Sequence, residues 1–560
     1  MNLRRPAQRD VKAQDVESRL SDDSSKVRRH IPDVEKCDPS DADSPTQMGN
    51  PSGNEDAKPP QMSKWSFRLL IISVTISTLL IAFNGTVLGT AIPSITSEFG
   101  TVDDVGWYSS AYLISNCVMV PLVGKLYKIF RLKLLFITFI AIFELGSLIS
   151  ALSRSSMMLI ISRAISGIGG SGILNGGATI LAATIPIAER SFLNGVILGC
   201  FAIGQAVGPL IGGALTQALS WRWCFYINLP IGGFVIFLFV VVVRLPIMTL
   251  SQKELPMLDK ILAIDVVGFF TFGAACTMFL LGLQWGGTEY AWNSSMIIGL
   301  ICAGVVTFGL LGGWFAYKGE SALIPPRLLY NRINIMITIT SFVQSGATIT
   351  ALYWLPVWFQ AIRGANAFHS GVMILPLILS QLVSSVISGA VVQKTGYYLP
   401  EVILGNWYII VGVGRGLVLQ LLVTAMQANV PQEDASIASA YAMFSQYLGG
   451  ALFAGVAKTI FTSSVGAALR KFAPEIDPSL LIDSGVTEIA GVVPADQLKG
   501  ALLAYNEAID HVFYLQLAAA CCAFVTGWGM GWRNLKKIKQ EKEAEKANGL
   551  ALVIQGSNTH

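Results

Sequence analysis

Apolar residues in this chain occur in long, nearly uncharged runs that are separated by short polar stretches. The runs are roughly 18 to 28 residues long, enough for a helix to cross a hydrocarbon core about 30 Å thick. Polar and apolar residues do not alternate with a period of two, which excludes the strands of a membrane barrel. Because lipid offers no hydrogen-bond partners to the backbone, each run is predicted to be a helix. We therefore predict an all-α polytopic membrane protein.

Thirteen candidate spans follow Trp65. Their approximate limits are 67–92, 107–127, 133–152, 157–183, 193–217, 226–244, 263–284, 295–317, 335–360, 370–392, 400–424, 436–463 and 511–532. Basic residues cluster after the even-numbered spans two to ten, as the positive-inside rule requires of cytoplasmic loops. The basic tail after the last span should also be cytoplasmic, and this requires an even number of crossings. Either one span is missing, or the run 400–424, with Arg415 in its middle, is not a full crossing.

Residues 1–64 have a different composition, rich in Asp, Ser, Arg, Lys and Pro. We predict that they are disordered and cytoplasmic, and they contain no apolar segment typical of a signal peptide. Over the whole chain, 53% of residues are hydrophobic and 13% are charged. The formal charge of +4 indicates orientation in a membrane rather than nucleic-acid binding. The cysteine spacings match no metal site or disulfide framework, and we expect no metal and no cofactor.

Four glycines and a proline interrupt the fifth apolar run. Gly204, Gly208 and Gly212 are spaced four residues apart, beside Pro209 and Gly213. Small residues at this spacing form a groove that permits close helix packing, and Pro209 predicts a bend. We predict a conformational interface that moves during function, and static packing is the alternative.

An arginine lies in the fourth run, which is also rich in small residues. Burying Arg163 in a membrane costs about 2.5–3.5 kcal/mol on insertion scales, so it is expected to face a polar cavity or a partner. The alternative is an arginine that extends to the membrane interface.

Several motifs resemble one transporter family. "GQAVGPLIGG" (204–213) matches the G-x3-G-P-x2-G-G pattern of the fifth helix of major facilitator antiporters, and "SRAISGIGGSG" (162–172) is similar to the fourth-helix motif, with Arg163 in its arginine position. "WRWCFYINLPIG" (221–232) resembles the segment between helices five and six of the fourteen-spanner drug:proton antiporters. "LQWGGTEYAWNSS", "LPVWFQAIRG" and "SGVMILP" follow in the order of that family's fungal toxin and multidrug efflux members. The resemblance extends from about residue 66 to 535.

The resemblance implies a major facilitator fold of two six-helix halves plus two inserted helices. It also implies alternating access, with the substrate near the membrane midplane and export in exchange for protons. The two halves are expected to rock about the glycine-rich seam. The expected divisions are 1–64 (N-terminus), 65–245 (N-terminal half), 246–332 (inserted helices and loops), 333–535 (C-terminal half) and 536–560 (polar tail).

Three departures from the family's pattern matter: two altered sites, at Asn84 and Lys128, and one missing stretch. Asn84 replaces an acid of the first helix, and an amide cannot bind and release a proton as a carboxylate does. Glu144 is the acid well inside a span of the N-terminal half, and it is either a coupling residue or a structural carboxyl, protonated or paired with Arg163. Lys128 replaces an aspartate after the second span. In addition, about 30 residues of the family's pattern are absent near Gly405, by natural deletion or an error in the gene model.

Other polar residues are candidates for a cavity or an exposed loop. Gln360 and Arg415, with Gln344, Gln420 and Gln446, lie in predicted spans of the C-terminal half and would either line a cavity or pair with another helix. Asn293 begins an N-x-S sequon in a predicted exoplasmic loop and is a candidate glycosylation site.

The leading function is a secondary exporter of small, mostly apolar compounds such as a toxin, secondary metabolite or drug. Expected partners are the substrate, protons and the lipid bilayer, and we expect a monomer in the plasma membrane, with the vacuolar membrane as the alternative. The sequence lacks a phosphate-binding G-x4-G-K-[ST] loop and catalytic motifs, which argues against an ATP-driven pump or an enzyme. The alternatives are an importer or siderophore transporter on the same fold, or a transport-impaired product of a truncated gene.

Overall fold

A computed structural model describes residues 63–100, 104–241, 256–287, 290–365, 367–407, 411–476, 493–494, 496–537 and 540. All but the last two residues of the predicted N-terminal segment 1–64, and most of the predicted polar tail, lie outside these residues; Lys64 begins the first helix. The helices are α1 Lys64–Phe99, α2 Val105–Ile129, α3 Leu132–Ala151, α4 Ser156–Thr184, α5 Ile187–Ala218, α6 Trp223–Tyr226, α7 Asn228–Val241, α8 Met257–Leu262, α9 Val266–Trp285, α10 Ser295–Lys318, α11 Pro326–Leu329, α12 Arg332–Arg363, α13 Ala367–Thr395, α14 Leu399–Trp407, α15 Val411–Ala428, α16 Ala435–Phe472 and α17 Leu498–Trp528.

Within the described residues, twelve helical segments are long and apolar enough to cross a membrane. They correspond to twelve of the thirteen predicted spans, which confirms the helical membrane class. The predicted end of the twelfth span and the predicted start of the thirteenth were wrong. α16 continues to Phe472 and α17 begins at Leu498, so both extend past the predicted runs 436–463 and 511–532. A helix can continue into polar sequence beyond the bilayer, because water there satisfies the groups that its backbone leaves free.

The helices form two bundles with a pair between them in sequence. In the N-terminal half, α4 packs against α2 and α3, and α5 packs against α1. In the C-terminal half, α12 packs against α16 and α17, and α13 packs against α15. The inserted helices α9 and α10 pack on each other, and α9 also contacts α2 and α16. The expected two halves and inserted pair are therefore present. Of the twelve candidate spans among the described residues, six lie in the N-terminal half, two in the inserted pair and four in the C-terminal half, where the resemblance implied six.

The run 400–424 does not form one span, which corrects the count of thirteen to twelve. It contains α14, with 9 residues, and α15, with 18 residues. At a rise of 1.5 Å per residue these are about 14 Å and 27 Å long, so α14 is too short to cross. α14 starts next to Tyr397, which pairs with Asn534, and just after α15 Asn429 accepts a hydrogen bond from Arg533. The segment therefore enters and leaves near one place and adds no net crossing.

One end of the bundle, called here the basic end, carries the basic loops of the predicted topology. α2, α4, α10, α13, α15 and α17 end there, and α3, α5, α12, α14 and α16 begin there. Its basic residues include Lys125, Lys128, Arg131, Arg190, Lys318, Arg327 and Lys394. The other end is called the opposite end. The twelve crossings bring the residues after α17 to the basic end, where Lys536 Nζ donates to the carbonyl of Lys394 at 2.5 Å.

Candidate functional site

A cavity of about 600 Å³ lies between the two halves. It is lined by α1, α2, α4 and α5 of the N-terminal half, by α12, α15 and α16 of the C-terminal half, and by the inserted helix α9. Most lining side chains are apolar. The polar lining residues include Tyr112, Asn116, Gln284, Arg415, Gln446 and Lys458. A mostly apolar pocket with a few polar groups is typical of a small-molecule site.

The two halves pack closely toward the basic end. Gly124 of α2 lies against α16 so tightly that a Cβ there would be 2.6 Å from Ala440 Cβ and 3.0 Å from the carbonyl oxygen of Ser436. On the other side, the Ser385 hydroxyl of α13 donates to the carbonyl of Gly195 in α5 at 2.9 Å. Backbone contacts of this closeness leave no passage between the helices.

An ionic cluster joins three parts of the chain at the same end. Asp434, just before α16, accepts from Lys128 of α2 at 2.7 Å and from Arg327 of α11. Arg327 also pairs with Glu320 at 3.1 Å. The Asp434 side chain is fully buried, whereas Lys128 is about one quarter exposed. The replacement of an acid by Lys128, noted in the sequence, is thus matched by an acid on the other half.

Amide and guanidinium groups complete the closure. Arg190 of α5 donates to the carbonyl of Ala182 at 2.6 Å and to Gln427 Oε1 at 3.5 Å. Asn194 donates to the Thr424 hydroxyl at 3.3 Å. These bonds join α4 and α5 to the end of α15. The cavity is therefore closed toward the basic end.

The cavity extends toward the opposite end. Its lining follows α16 from Met443 to Lys458, which is exposed, and includes Gln284 near the end of α9. Ser110, close to the start of α2, also lines it. The lining thus runs from the middle of the bundle to the end that lacks the ionic cluster.

Arg163 lies behind the cavity wall and is 1% exposed. Its Nε donates to the carbonyl of Tyr108 at 3.0 Å, and its Nη1 donates to Asn84 Oδ1. The guanidinium also stacks over the Tyr112 ring, 4.7 Å from the centroid. A partner for this arginine was one of the two expectations, and the partner is Asn84. The interface alternative is wrong, because the side chain is buried.

Glu144 is not paired with Arg163, so the expectation of an ion pair between these two residues is wrong. Both of its carboxylate oxygens are buried and lack a hydrogen-bond partner. The side chain faces Gly232 of α7, where a Cβ would collide with it. Glu144 is also absent from the cavity lining. It therefore lies in a packed contact between α3 and α7.

The glycine stripe of α5 packs against α1, inside the N-terminal half. A Cβ on Gly204 would be 2.7 Å from the carbonyl oxygen of Leu79, and one on Gly212 would be 2.7 Å from Val87 Cγ2. Gly208 meets Thr86 in the same way, whereas Gly213 has nothing within 4 Å. The expectation that this stripe separates the two halves is wrong, since its spacing determines a face but not the partner. α5 remains one helix across Pro209.

The remaining predicted residues have separate locations. Arg415 lines the cavity, but Gln360 does not, and its amide donates to the Ser370 hydroxyl at 3.4 Å. Asn293 is exposed in the turn before α10 at the opposite end. Among the described residues, no cluster of His, Cys, Asp or Glu has the geometry of a metal site.

The segment 221–232 contributes a contact at the opposite end. Arg222 pairs with Glu98 at the end of α1, with a distance of 2.7 Å between Nη2 and Oε1. Trp221 Nε1 donates to the same carboxylate at 2.7 Å. The hydrogen bonds that Arg222 donates to the Glu98 carboxylate raise the pKa of its guanidinium. The motif therefore ties α1 to the start of α6.

Sequence reasoning missed Lys458, Gln284 and Tyr112. A signal existed for Lys458, because it is a lone cation inside the predicted span 436–463, and ionisable residues in spans usually have a function. It also continues the lining face of α16 at four-residue spacing from Gln446. Tyr112 and Gln284 had no such signal, because an aromatic or amide side chain is common on any membrane helix.

Comparisons with known proteins agree on one family. A model described as Major Facilitator Superfamily matches residues 74–405. The MFS-type transporter pigP of Monascus ruber is 41% identical over 551 residues, covering 92% of this chain and 96% of that protein. The efflux pump mlcE of Penicillium citrinum is 39% identical over 500 residues, covering 83% and 90%. A crystal structure of a double-tryptophan XylE mutant has the same fold, with a TM-score of 0.53 and 13% identity, covering 86% of this chain and 99% of that one.

Proposed function

Because this chain belongs to the Major Facilitator Superfamily, we propose that it is a secondary exporter of small, mostly apolar compounds that exchanges them for protons by alternating access. The observation that carries the proposal is the cavity of about 600 Å³ between the halves, closed at the basic end. A transporter needs a central site that both halves share and that is open to one side at a time. Relatives that are named efflux pumps favour export over import.

The ionic cluster supports a two-state cycle. Asp434 is fully buried and pairs with Lys128 across the two halves. Opening the basic end would separate this pair and return its charges to water, so the contact belongs to the state that is closed at this end. The substrate would leave through the opposite end, which faces the outside if the basic end is cytoplasmic.

Proton exchange is assigned to the N-terminal half. Asn84, in place of the family's acid, accepts a hydrogen bond from Arg163 but carries no titratable proton. Glu144 is a buried carboxyl of α3, and neither of its oxygens has a hydrogen-bond partner. We assign proton binding to Glu144. In proteoliposomes, Glu144→Gln should allow downhill flux but abolish accumulation driven by a pH gradient, and unchanged accumulation would refute the assignment.

The direct test uses cells. Deleting the gene in its host should raise the intracellular level of at least one small apolar compound and lower its level in the medium. Expression in yeast that lacks its own efflux pumps should produce the opposite change. A rise of intracellular compound on expression would instead identify an importer.

The membrane and orientation are part of this proposal. We place the basic end and both termini in the cytoplasm, and the protein as a monomer in the plasma membrane. Fluorescence of a C-terminal fusion and protease protection would test both points, and a vacuolar signal would select the other membrane.

A transport-impaired protein is the second candidate, favoured by one observation. α14 has 9 residues, and the family model stops matching at residue 405, next to the end of that helix. Sequencing the transcript across Gly405 distinguishes the two. A transcript that encodes one more apolar stretch restores a complete exporter, whereas export by the present chain in proteoliposomes refutes the impaired alternative.

A further inference from the structure

The charge of the cavity is one-sided. Among its described lining residues there is no Asp or Glu, and the charged ones are Arg415 and Lys458, which are both basic. An arginine remains protonated in proteins. A third cation, Arg163, lies directly behind Tyr112 in the wall, and its partner there is the neutral Asn84. The field inside this mostly apolar cavity therefore favours negative charge.

Arg415 has unused hydrogen-bond donors. The side chain is 8% exposed, and its Nε and Nη1 atoms are buried without a partner. The Nε2 atom of Gln446 is in the same situation. Leaving such donors unpaired in an apolar interior is costly, and more so for a charged group. An acceptor in the cavity would remove this cost.

The two residues lie at a similar depth. α15 ends at the basic end with Ala428, so Arg415 lies about 20 Å from it, and α16 begins there with Ala435, so Gln446 lies about 17 Å from it. Both are therefore near the middle of a hydrocarbon core about 30 Å thick. α15 begins at Val411, one turn before Arg415, so the positive end of its dipole is also at this depth.

We propose that the transported compound is an organic acid whose carboxylate binds Arg415 and Gln446 at mid-depth, while its apolar body fills the rest of the cavity. This rests on the proposed export function and names its substrate class. A guanidinium can bind both carboxylate oxygens through two parallel N–H groups, and the Gln446 amide supplies a further donor. Lys458, nearer the opposite end, attracts the acid along the exit path.

The test compares an acid with its neutral isostere on the full chain in phosphatidylcholine nanodiscs. The probes are 1-naphthylacetate and 1-naphthylacetamide, and equilibrium dialysis gives the Kd of each. We expect the native protein to bind the acid at least tenfold more tightly than the amide. Arg415→Gln should bring the two Kd values within about twofold while leaving amide binding unchanged, and Arg415→Lys should retain part of the preference.

Matched variants exclude other causes. Arg332→Gln removes an exposed cation at the start of α12, outside the cavity, and should keep the full acid preference. If Arg415→Gln does not fold, Gln446→Leu keeps the proposal testable and should lower the preference severalfold. Equal binding of acid and amide by the native protein, or failure of both to bind, overturns the proposal. An undiminished preference in Arg415→Gln does so as well.

Two further outcomes separate this proposal from others. If phosphatidylglycerol in the nanodisc abolishes the acid preference, a lipid phosphate occupies Arg415 and the substrate assignment is overturned. Dialysis requires no transport, so acid binding by a protein that exports nothing from cells refutes the export function but supports the acid site. Export of neutral compounds and acids at equal rates would support the export function but refute the acid site.

Discussion

Replacing Gly204 with alanine tests the packing of α5 on α1. A Cβ at this position would be 2.7 Å from the carbonyl oxygen of Leu79 and 2.8 Å from Ala82 Cβ. Neither atom can rotate away, because one belongs to the backbone and the other is fixed to it. Carbon atoms prefer separations of about 3.5–4.0 Å, so α1 must move by roughly 1 Å.

Two opposing contributions determine how Gly204→Ala changes the free energy of unfolding. Overpacking a close contact costs about 1–3 kcal/mol. Alanine gains up to about 1 kcal/mol over glycine in a helix. Gly213→Ala is the matched control on the same helix, since nothing lies within 4 Å of its Cβ and it receives only the gain. The free energy of unfolding of the two variants should therefore differ by about 1–3 kcal/mol.

The assay is thermal unfolding of both variants, purified in the same detergent. We expect the melting temperature of Gly204→Ala to be about 1–3 °C below that of Gly213→Ala, because the unfolding entropy of a chain of this size is about 1 kcal/mol per kelvin. Export rates per molecule at the surface should follow the same order. Equal melting temperatures would refute the inference that the stripe is needed for the close approach of α1.

Three further predictions concern the ionic cluster, the buried arginine and the exposed sequon. Lys128→Glu and Asp434→Lys should each impair export, because like charges then meet across the closed end, and the double variant should recover by a coupling energy of about 0.5–3 kcal/mol in a stability cycle. Additive effects of the two changes would contradict this pairing. Arg163→Ala should abolish export while the protein still reaches the membrane, because Asn84 and the carbonyl of Tyr108 lose their donor. Retained export would make that role structural only. Asn293→Gln should increase mobility on a gel by the mass of one glycan, and an unchanged mobility would show that the site carries none.

Most of the fold follows from the sequence because bilayer thickness sets the length of each apolar run. The run 400–424 misled for a physical reason. Its apolar residues are continuous, so composition cannot reveal that α14 ends at Trp407 and that the chain returns to the same end. The excess of basic residues on one side and the stretch of the family's pattern that is absent near Gly405 were the two indications that the count of thirteen crossings was wrong.

The cavity residues that could be predicted from the sequence are those whose charge is unusual in an apolar run. Arg415 stood out as a charge in an apolar run, and it lines the cavity. Gln360 is uncharged and therefore stood out less from its apolar run. Helical spacing alone could not show whether its side chain faces the cavity or a neighbouring helix. The partner of Arg163 was also out of reach, because Asn84 is 79 positions away and meets it only through the packing of α1 on α4.

Asp434 connects the inserted helices to both halves of the bundle. It is held at once by Lys128 of the N-terminal half and by Arg327, which follows α10. The carboxylate is thus a three-way junction, and α9 touches both halves as well. If the halves separate at this end in the proposed export cycle, Asp434 loses Lys128, Arg327 or both. The order in which these two contacts break would then determine whether the inserted pair moves with the N-terminal or the C-terminal half.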